Sequence, residues 1–189
     1  GIRIENPLLA PCEKELLGFI VEHGRSELRF DNDSEFYVEG ESPDTVAEFI
    51  DNALANDGAS FSNSAYRKVY DKYFELYDES LRQEQIQSRL LNSSDGEIAA
   101  VTKELLEDKY IITVEDYRNS LTSLETQLVI FVPKSLLAYQ SRRLDVMMKE
   151  LSDELAASKD DVKVQMELLD KMNRLNKARN IINNKLGRV

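Results

Sequence analysis

The chain lacks most of the residues from which proteins build covalent and metal cross-links. It has one cysteine, Cys12, one histidine, His23, and no tryptophan. A single cysteine excludes an intrachain disulfide, and one cysteine with one histidine cannot supply the ligands of a structural zinc site. We therefore expect a protein of the reducing cytoplasm that uses no metal and no cofactor.

Long apolar runs are also missing. The longest, residues 128–133, falls far short of the roughly 20 residues that cross a bilayer. No stretch resembles the apolar segment of a secretory signal either. The chain begins at Gly1 and not at methionine. We therefore expect a piece of a longer protein that does not contact membranes.

Motifs of catalysis are absent from the sequence. The seven glycines are scattered singly, and none belongs to a phosphate-binding or nucleophile motif. The segment 31–33, Asp-Asn-Asp, fails as a calcium loop because Phe36 and Ser42 stand where glycine and glutamate are needed, so we interpret it as a turn. His23 precedes Gly24 at a predicted helix end, where an imidazolium complements the helix dipole without any catalytic role. No enzymatic activity is expected of this chain, and a metal-dependent hydrolase that uses its acidic residues remains the alternative.

Charge divides the chain into two parts. Residues 1–132 carry 12 Lys or Arg against 27 Asp or Glu, whereas residues 133–189 carry 12 against 8. An acidic surface repels phosphate backbones, so we expect no direct binding of nucleic acid. The contrast predicts two domains, a helical bundle over 1–132 and a helical hairpin over 133–189.

Helix start and stop signals predict an all-α fold for the first part. A short β-hairpin is expected over 28–38, where apolar residues alternate around a polar turn. The aromatic stripe from Tyr66 to Tyr77 has the spacing of a core helix, and we prefer that interpretation to a platform for stacking bases. The predicted helices run from Pro11 to Gly24, from Ser42-Pro43 to Asp57-Gly58, from about Ser62, over Glu84–Leu91, from a Ser94–Glu97 capping box, and over Leu121–Val129.

Apolar residues recur at sevens, fours and threes after Pro133, on both sides of a turn at 158–160. Such a pattern predicts two long helices that form an antiparallel hairpin along their own seam. Apolar residues away from the seam, such as Leu169 and Ile181, remain for a partner. The predicted seam consists of Leu137, Leu144, Met148, Leu151, Leu155, Leu168, Met172, Leu175, Ala178, Ile182 and Leu186.

Three segments resemble the C-terminal helicase-interacting domain of bacterial DnaG-type DNA primase: residues 6–17, Phe61 with 66–70, and 132–134 through 176–182. Tyr66 stands where that family often has histidine, and the segment 28–38 looks like an addition. The resemblance implies a helical bundle followed by a helical hairpin. It also implies a non-enzymatic adaptor that docks on the N-terminal domain of the hexameric replicative helicase, with the catalytic modules of the parent primase lying upstream.

The end of the chain carries the predicted contact set. After Asp170 there are six basic residues and no acidic one, which suits an acidic patch on the partner. Alternatively, these basic groups only complement the helix C-terminus and stay solvated. We expect a monomer in isolation, and the rival interpretation is a helicase N-terminal-like or unrelated helical adaptor that self-associates. The predicted partner-binding residues are Leu175, Arg179, Ile182, Lys185, Leu186 and Arg188.

Overall fold

The computed structural model describes residues 6–108 and 123–187, which contain seven helices and no strand. The all-α class predicted from the sequence is thereby confirmed. The chain divides into two compact units, Gly1–Pro133 and Lys134–Val189. Among the described helices, none has the length and apolarity that a membrane span requires. The helices are α1 (Ala10–His23), α2 (Val46–Asn56), α3 (Ser64–Asp78), α4 (Gln83–Leu91), α5 (Gly96–Asp108), α6 (Leu124–Ala157) and α7 (Val162–Leu186).

Helix α1 is the central element of the first unit and packs against α2, α3, α4 and α5. Its five consecutive apolar positions around Gly18 are all buried, on every side of the helix. A helix that is apolar all round belongs in a core. The buried residues are Leu16, Leu17, Phe19, Ile20 and Val21.

One buried carboxylate fixes the start of α3 to α1. Glu13 is fully buried, and its Oε2 accepts a hydrogen bond from the Ser62 backbone N at 2.6 Å. Its Oε1 accepts from Ser62 Oγ and from the Asn63 backbone N, both at 3.0 Å. Asn63 in turn caps α3, because its Oδ1 accepts from the Tyr66 backbone N at 3.0 Å.

Gly24 follows the last residue of α1, but not in the left-handed conformation for which glycine is usually selected at a helix end. Its φ of −55° is right-handed. A Cβ on this residue would lie 1.9 Å from Tyr73 Oη and 2.4 Å from the Ile20 carbonyl oxygen, so close approach requires the glycine. Burial lowers the pKa of the neighbouring His23, which disfavours the imidazolium expected at this helix end.

Helix α2 begins after Thr45, and the predicted start at Ser42-Pro43 is wrong. Thr45 Oγ1 accepts from the Glu48 backbone N at 3.1 Å, and Glu48 Oε1 accepts from the Thr45 backbone N at 3.0 Å. This reciprocal capping box satisfies two N–H groups at once. Gly58, with φ of +60°, follows the end of α2 as predicted.

Asp95, and not Ser94, caps α5. Asp95 Oδ1 accepts from the Glu97 backbone N at 3.0 Å. Lys68 Nζ lies 3.2 Å from Asp95 Oδ2 and 3.4 Å from Glu97 Oε1. The Glu97 carboxylate therefore faces a cation on α3, whereas the predicted box would turn it back to the backbone of Ser94.

The predicted hairpin over 28–38 is wrong, because this segment forms reverse turns. Backbone hydrogen bonds join Ser34 N to Asp31 O, Tyr37 N to Ser34 O, and Glu41 N to Val38 O. A single bridge between Glu27 and Thr45 closes the ends of the loop. Residues 27–45 thus form a clasped loop with no ladder of strands.

The aromatic rings of the stripe on α3 are buried or half-buried. Tyr73 is fully buried, and its hydroxyl donates to Gln83 Oε1 at 2.7 Å. Tyr70 contacts Phe61 edge to face at 5.1 Å between ring centroids, and its hydroxyl hydrogen-bonds to Asp51. Burial raises the pKa of both Tyr70 and Tyr73. These rings contact other residues of the first unit and do not form an open surface on which bases could stack.

Helix α6 continues through Pro133, where a new helix was expected to begin. Proline lacks the N–H that would bond to the preceding turn, which usually bends or ends a helix. Buried residues stand on both sides of it, with Leu128 and Val132 before and Leu137 and Tyr139 after. The helix predicted over 121–129 is the start of α6, and its first two residues lie outside the described part of the chain.

Candidate docking surface on the C-terminal helices

Helices α6 and α7 run antiparallel in the second unit. Ser141 Oγ on α6 donates to Asn183 Oδ1 on α7 at 2.9 Å. One turn along each helix, Arg179 Nη1 lies 3.4 Å from Asp145 Oδ1. Residue numbers in contact rise along α6 as they fall along α7, which is the pairing of an antiparallel hairpin. The heptad pattern of the sequence predicted this arrangement.

The turn between the helices is held by local hydrogen bonds. Asp161 caps α7, since its Oδ1 accepts from the Val164 backbone N at 3.1 Å. Gln165 Nε2 reaches back across the turn to the Ser158 carbonyl oxygen at 2.7 Å. These bonds fix where α7 starts and hence which of its residues meet α6.

Every residue predicted for the seam is buried or half-buried. Leu168 is the most buried of the α7 set, with 4% of its surface exposed. Burial of each large aliphatic side chain stabilises the pair by up to about 1.5–3 kcal/mol, and by less where burial is partial.

The predicted contact residues lie on this same side of α7. Leu175, Ile182 and Leu186 are half-buried seam residues. Arg179 is bonded to Asp145 of α6 and to Asn176 Oδ1 at 2.8 Å. Lys185 is also half-buried. The sixth predicted residue, Arg188, lies outside the described residues.

The more exposed apolar residues of α7 lie elsewhere. Val162 is 69% exposed, Met166 66% and Leu169 48%. They follow one another at i, i+4 and i+7, so they share one face of the helix. We call these three residues the apolar stripe. Sequence reasoning found Leu169, and the exposed Ile181 beyond it, but missed Val162 and Met166, although their spacing to Leu169 was readable.

A groove lies between the two helices near their turn. Its volume is about 310 Å³, and its apolar lining comes from Met147, Leu151 and Leu175. Glu150 and Glu154 border it on α6, whereas Lys171 and Arg174 border it on α7. The groove therefore has an apolar lining between walls of opposite charge.

The two helices of the hairpin, which we call its α6 arm and its α7 arm, carry opposite net charge near the groove and beyond it. The part of α7 after Asp170 is called the basic arm. From Asp145 to Ala157, α6 carries four acidic residues and one basic residue, whereas α7 after Asp170 carries only basic ones. Several of these charges pair within one helix, as Arg174 does with Asp170 at 3.2 Å, and such exposed pairs contribute little to stability. Lys171 and Lys177 have no ion-pair partner within the residues that the structure describes. The basic arm thus keeps cations available to a partner.

Among the described residues of the first unit, the acidic side chains form no recognisable metal centre. Asp31, Asn32 and Asp33 are exposed in a turn. Across residues 6–108 and 123–187, no group of three or more metal-ligating side chains comes together.

Comparison with known proteins gives a family and no functional description. No curated protein and no solved structure is detectably similar to the chain. One family model matches residues 3–189, which is almost the whole length. The chain therefore belongs to that family, which is described as a domain of unknown function, DUF8430.

Proposed function

We propose that the chain is a non-catalytic protein-interaction domain that docks on the N-terminal domain of a hexameric replicative DNA helicase in the cytoplasm and couples priming to unwinding. One observation carries the docking proposal: α7 closes a seam with α6 and still leaves an apolar stripe exposed beside a basic arm. The identity of the partner follows from the resemblance to the helicase-interacting domain of DnaG-type primase.

The apolar stripe supplies the proposed anchor. Val162, Met166 and Leu169 cover two turns at the start of α7 and are largely exposed. Exposed apolar side chains in a row on one helix face suit a helix-in-groove contact, in which such residues act as anchors. The proposal also includes Leu175, Ile182 and Leu186, which belong to the seam and keep only part of their surface exposed for a partner.

The basic arm supplies the proposed steering. Lys171 and Lys177 lack ion-pair partners within the described residues, and no acidic residue follows Asp170. Unpaired charges of one sign accelerate encounter with a surface of opposite sign, and salt weakens this effect. The proposal therefore requires an acidic patch on the helicase N-terminal domain.

Polar replacement in the apolar stripe tests the anchor. The Met166→Gln/Leu169→Gln variant should bind the cognate helicase N-terminal domain about 10- to 30-fold more weakly, if each side chain contributes about 1 kcal/mol. Glutamine keeps the helix propensity, so the melting temperature should stay within a few degrees. The matched control is Leu8→Gln/Leu124→Gln, which alters two apolar residues exposed to a similar degree. If both variants bind equally weakly, or if both bind as tightly as the wild type, the apolar stripe is not the anchor.

Charge reversal tests the steering. Lys171→Glu/Lys177→Glu should lower the association rate and make it much less sensitive to salt. The control Arg89→Glu/Lys103→Glu makes the same charge change on exposed residues of α4 and α5 and should leave the rate nearly unchanged. Stopped-flow fluorescence at several salt concentrations measures both.

Self-association is the second candidate, and the opposite charge of the two arms favours it. The acidic α6 arm of one copy could pair with the basic α7 arm of another, with the apolar stripes between them. We propose a monomer, because the resemblance is to a domain that binds a different protein. Sedimentation velocity separates the two, since a self-associating hairpin dimerises with rising concentration and the proposed docking domain does not.

A further inference from the structure

The clasped loop of residues 27–45 and Phe49 of α2 border a second cavity, which is open on one side and has a mixed polar and apolar lining. Its volume is about 310 Å³, at the lower end of the roughly 300–1,000 Å³ of ligand pockets. Phe30, Phe36 and Phe49 form its aromatic wall. Their ring centroids lie 5.3 to 5.6 Å apart. We call this cavity the aromatic cup.

The cup is held in shape by backbone hydrogen bonds. Leu28 N donates to Asp44 O, and Val46 N donates to Ser26 O, each at 2.8 Å. Three reverse turns lie between these two hydrogen bonds and order the rest of the loop. A binding surface that is ordered before its partner arrives loses less conformational entropy on binding.

Two partly exposed side chains form the apolar part of the mouth of the cup. Tyr37 is 39% exposed and Val38 53% exposed, and both line the cavity. An opening of this size suits one large apolar side chain, which would contact the three phenylalanine rings.

The surroundings of the cup are strongly acidic. Residues 27–45 contain seven carboxylates and one basic residue, Arg29. Arg29 is itself paired with Glu27 at 2.6 Å. Glu41 and Asp44 stand on the rim, and neither has a cationic partner among the described residues. Arg29 also lines the cavity. A ligand at the cup therefore meets one cation that is already paired with Glu27, together with two carboxylates that have no cationic partner among the described residues.

We propose that the aromatic cup binds a basic protein segment, with one large apolar side chain inserted into the cup and lysine or arginine residues beside it facing Glu41 and Asp44. Aromatic rings also attract cations at their faces, so a guanidinium next to the anchor gains from both the rim and the rings. The cup and the helix pair would thus bind different partners, because the basic arm of α7 requires an acidic surface and the cup requires a basic segment.

A labelled peptide tests the cup on the complete chain. The probe is a fluorescein-labelled heptapeptide with one central phenylalanine and two arginines on each side, and binding is followed by fluorescence anisotropy. We expect saturable binding that weakens as salt rises. Changing the central phenylalanine to alanine, or the arginines to serine, should weaken binding at least about tenfold each. A peptide series in which either change is without effect would overturn the proposal.

Substitutions in the cup test whether the peptide binds there. Tyr37→Ala/Val38→Ala should weaken peptide binding at least about tenfold, since it removes the mouth of the cup. Glu41→Gln/Asp44→Asn should weaken it about three- to tenfold and reduce its salt dependence. The matched control Asp78→Asn/Glu79→Gln removes two adjacent exposed carboxylates at the end of α3 and should bind normally.

Two results would reject the proposed occupant. Cup variants that bind the peptide as tightly as the control variant would show that the acidic surface as a whole, and not the cup, holds the peptide. A wild-type chain that dimerises, and loses dimerisation in Tyr37→Ala/Val38→Ala, would show that a second copy covers the cup. Unchanged thermal melting of the variants confirms that the loop still folds.

Discussion

Replacement of Glu13 by glutamine tests whether one buried carboxylate holds the start of α3 onto α1. The side chain is fully buried. It accepts hydrogen bonds from the backbone N of Ser62 and Asn63 and from Ser62 Oγ, at 2.6 to 3.0 Å. Both carboxylate oxygens are therefore used as acceptors by the segment that leads into α3.

Glutamine keeps one acceptor oxygen and replaces the other with an NH₂ group. If the remaining oxygen takes the place of Oε1, the Ser62 backbone N–H faces an amide donor and loses its partner. A hydrogen bond to a charged group contributes about 1.5–3 kcal/mol, and an unsatisfied buried donor costs about as much as a lost bond. Removal of a buried charge offsets part of this loss, so we expect destabilisation by about 2–3 kcal/mol.

Equilibrium unfolding in urea, followed by far-ultraviolet circular dichroism at neutral pH, measures the effect. Glu15→Gln is the matched control, because it removes the same charge from the same helix at a half-exposed position. The control should change the free energy of unfolding by less than about 0.5 kcal/mol. A Glu13→Gln protein as stable as the control would refute the role assigned to this carboxylate.

Two further substitutions follow from the end of α1. Gly24→Ala should destabilise the chain by about 2–3 kcal/mol in urea, because the added Cβ would lie 1.9 Å from Tyr73 Oη. Gly96→Ala, whose Cβ meets no heavy atom within 4 Å, should be neutral or stabilising by up to about 1 kcal/mol. Because burial lowers the pKa of His23 below 6.5, the unfolded chain binds this proton more tightly than the folded one. Neutral His23 therefore contributes to the free energy of unfolding above about pH 6.5, and this contribution is lost as the pH falls through the lowered pKa of the folded chain. His23→Gln should reduce this loss, and an identical pH profile for variant and wild type would contradict the burial effect.

The class of fold and the C-terminal seam were predictable because their signals are local. Leu168 and Leu175 lie seven residues apart on one helix, and this spacing alone places them on one face. The start of α2 was not predictable in the same way. Ser42-Pro43 and Thr45 are both good helix starts, and the choice depends on a contact with a distant residue, since Val46 N bonds to Ser26 O.

The loop of residues 27–45 shows the same limit. Alternation around Phe36 is typical of a strand, but two strands of this length are marginal without further strands beside them. The chain instead closes the loop at Glu27 and Thr45 and packs Phe36 against Phe49 of α2. The aromatic cup could not be predicted, because it depends on this tertiary closure.

The candidate docking surface was predictable in part. The acid-free stretch after Asp170 and the off-seam residues Leu169 and Ile181 are visible in the sequence. The groove beside Met147 is not, because its walls meet only in the register that the turn at Ser158 imposes.

Photo-crosslinking tests the docking proposal most directly. A benzophenone amino acid replaces Met166 on the apolar stripe in one protein and Leu8 in another, two exposed positions, and each is irradiated with the cognate helicase N-terminal domain. Docking through the C-terminal helices predicts a crosslinked product from position 166 and none from position 8. A product from position 8 alone, or equal yields from both, would contradict docking through the C-terminal helices.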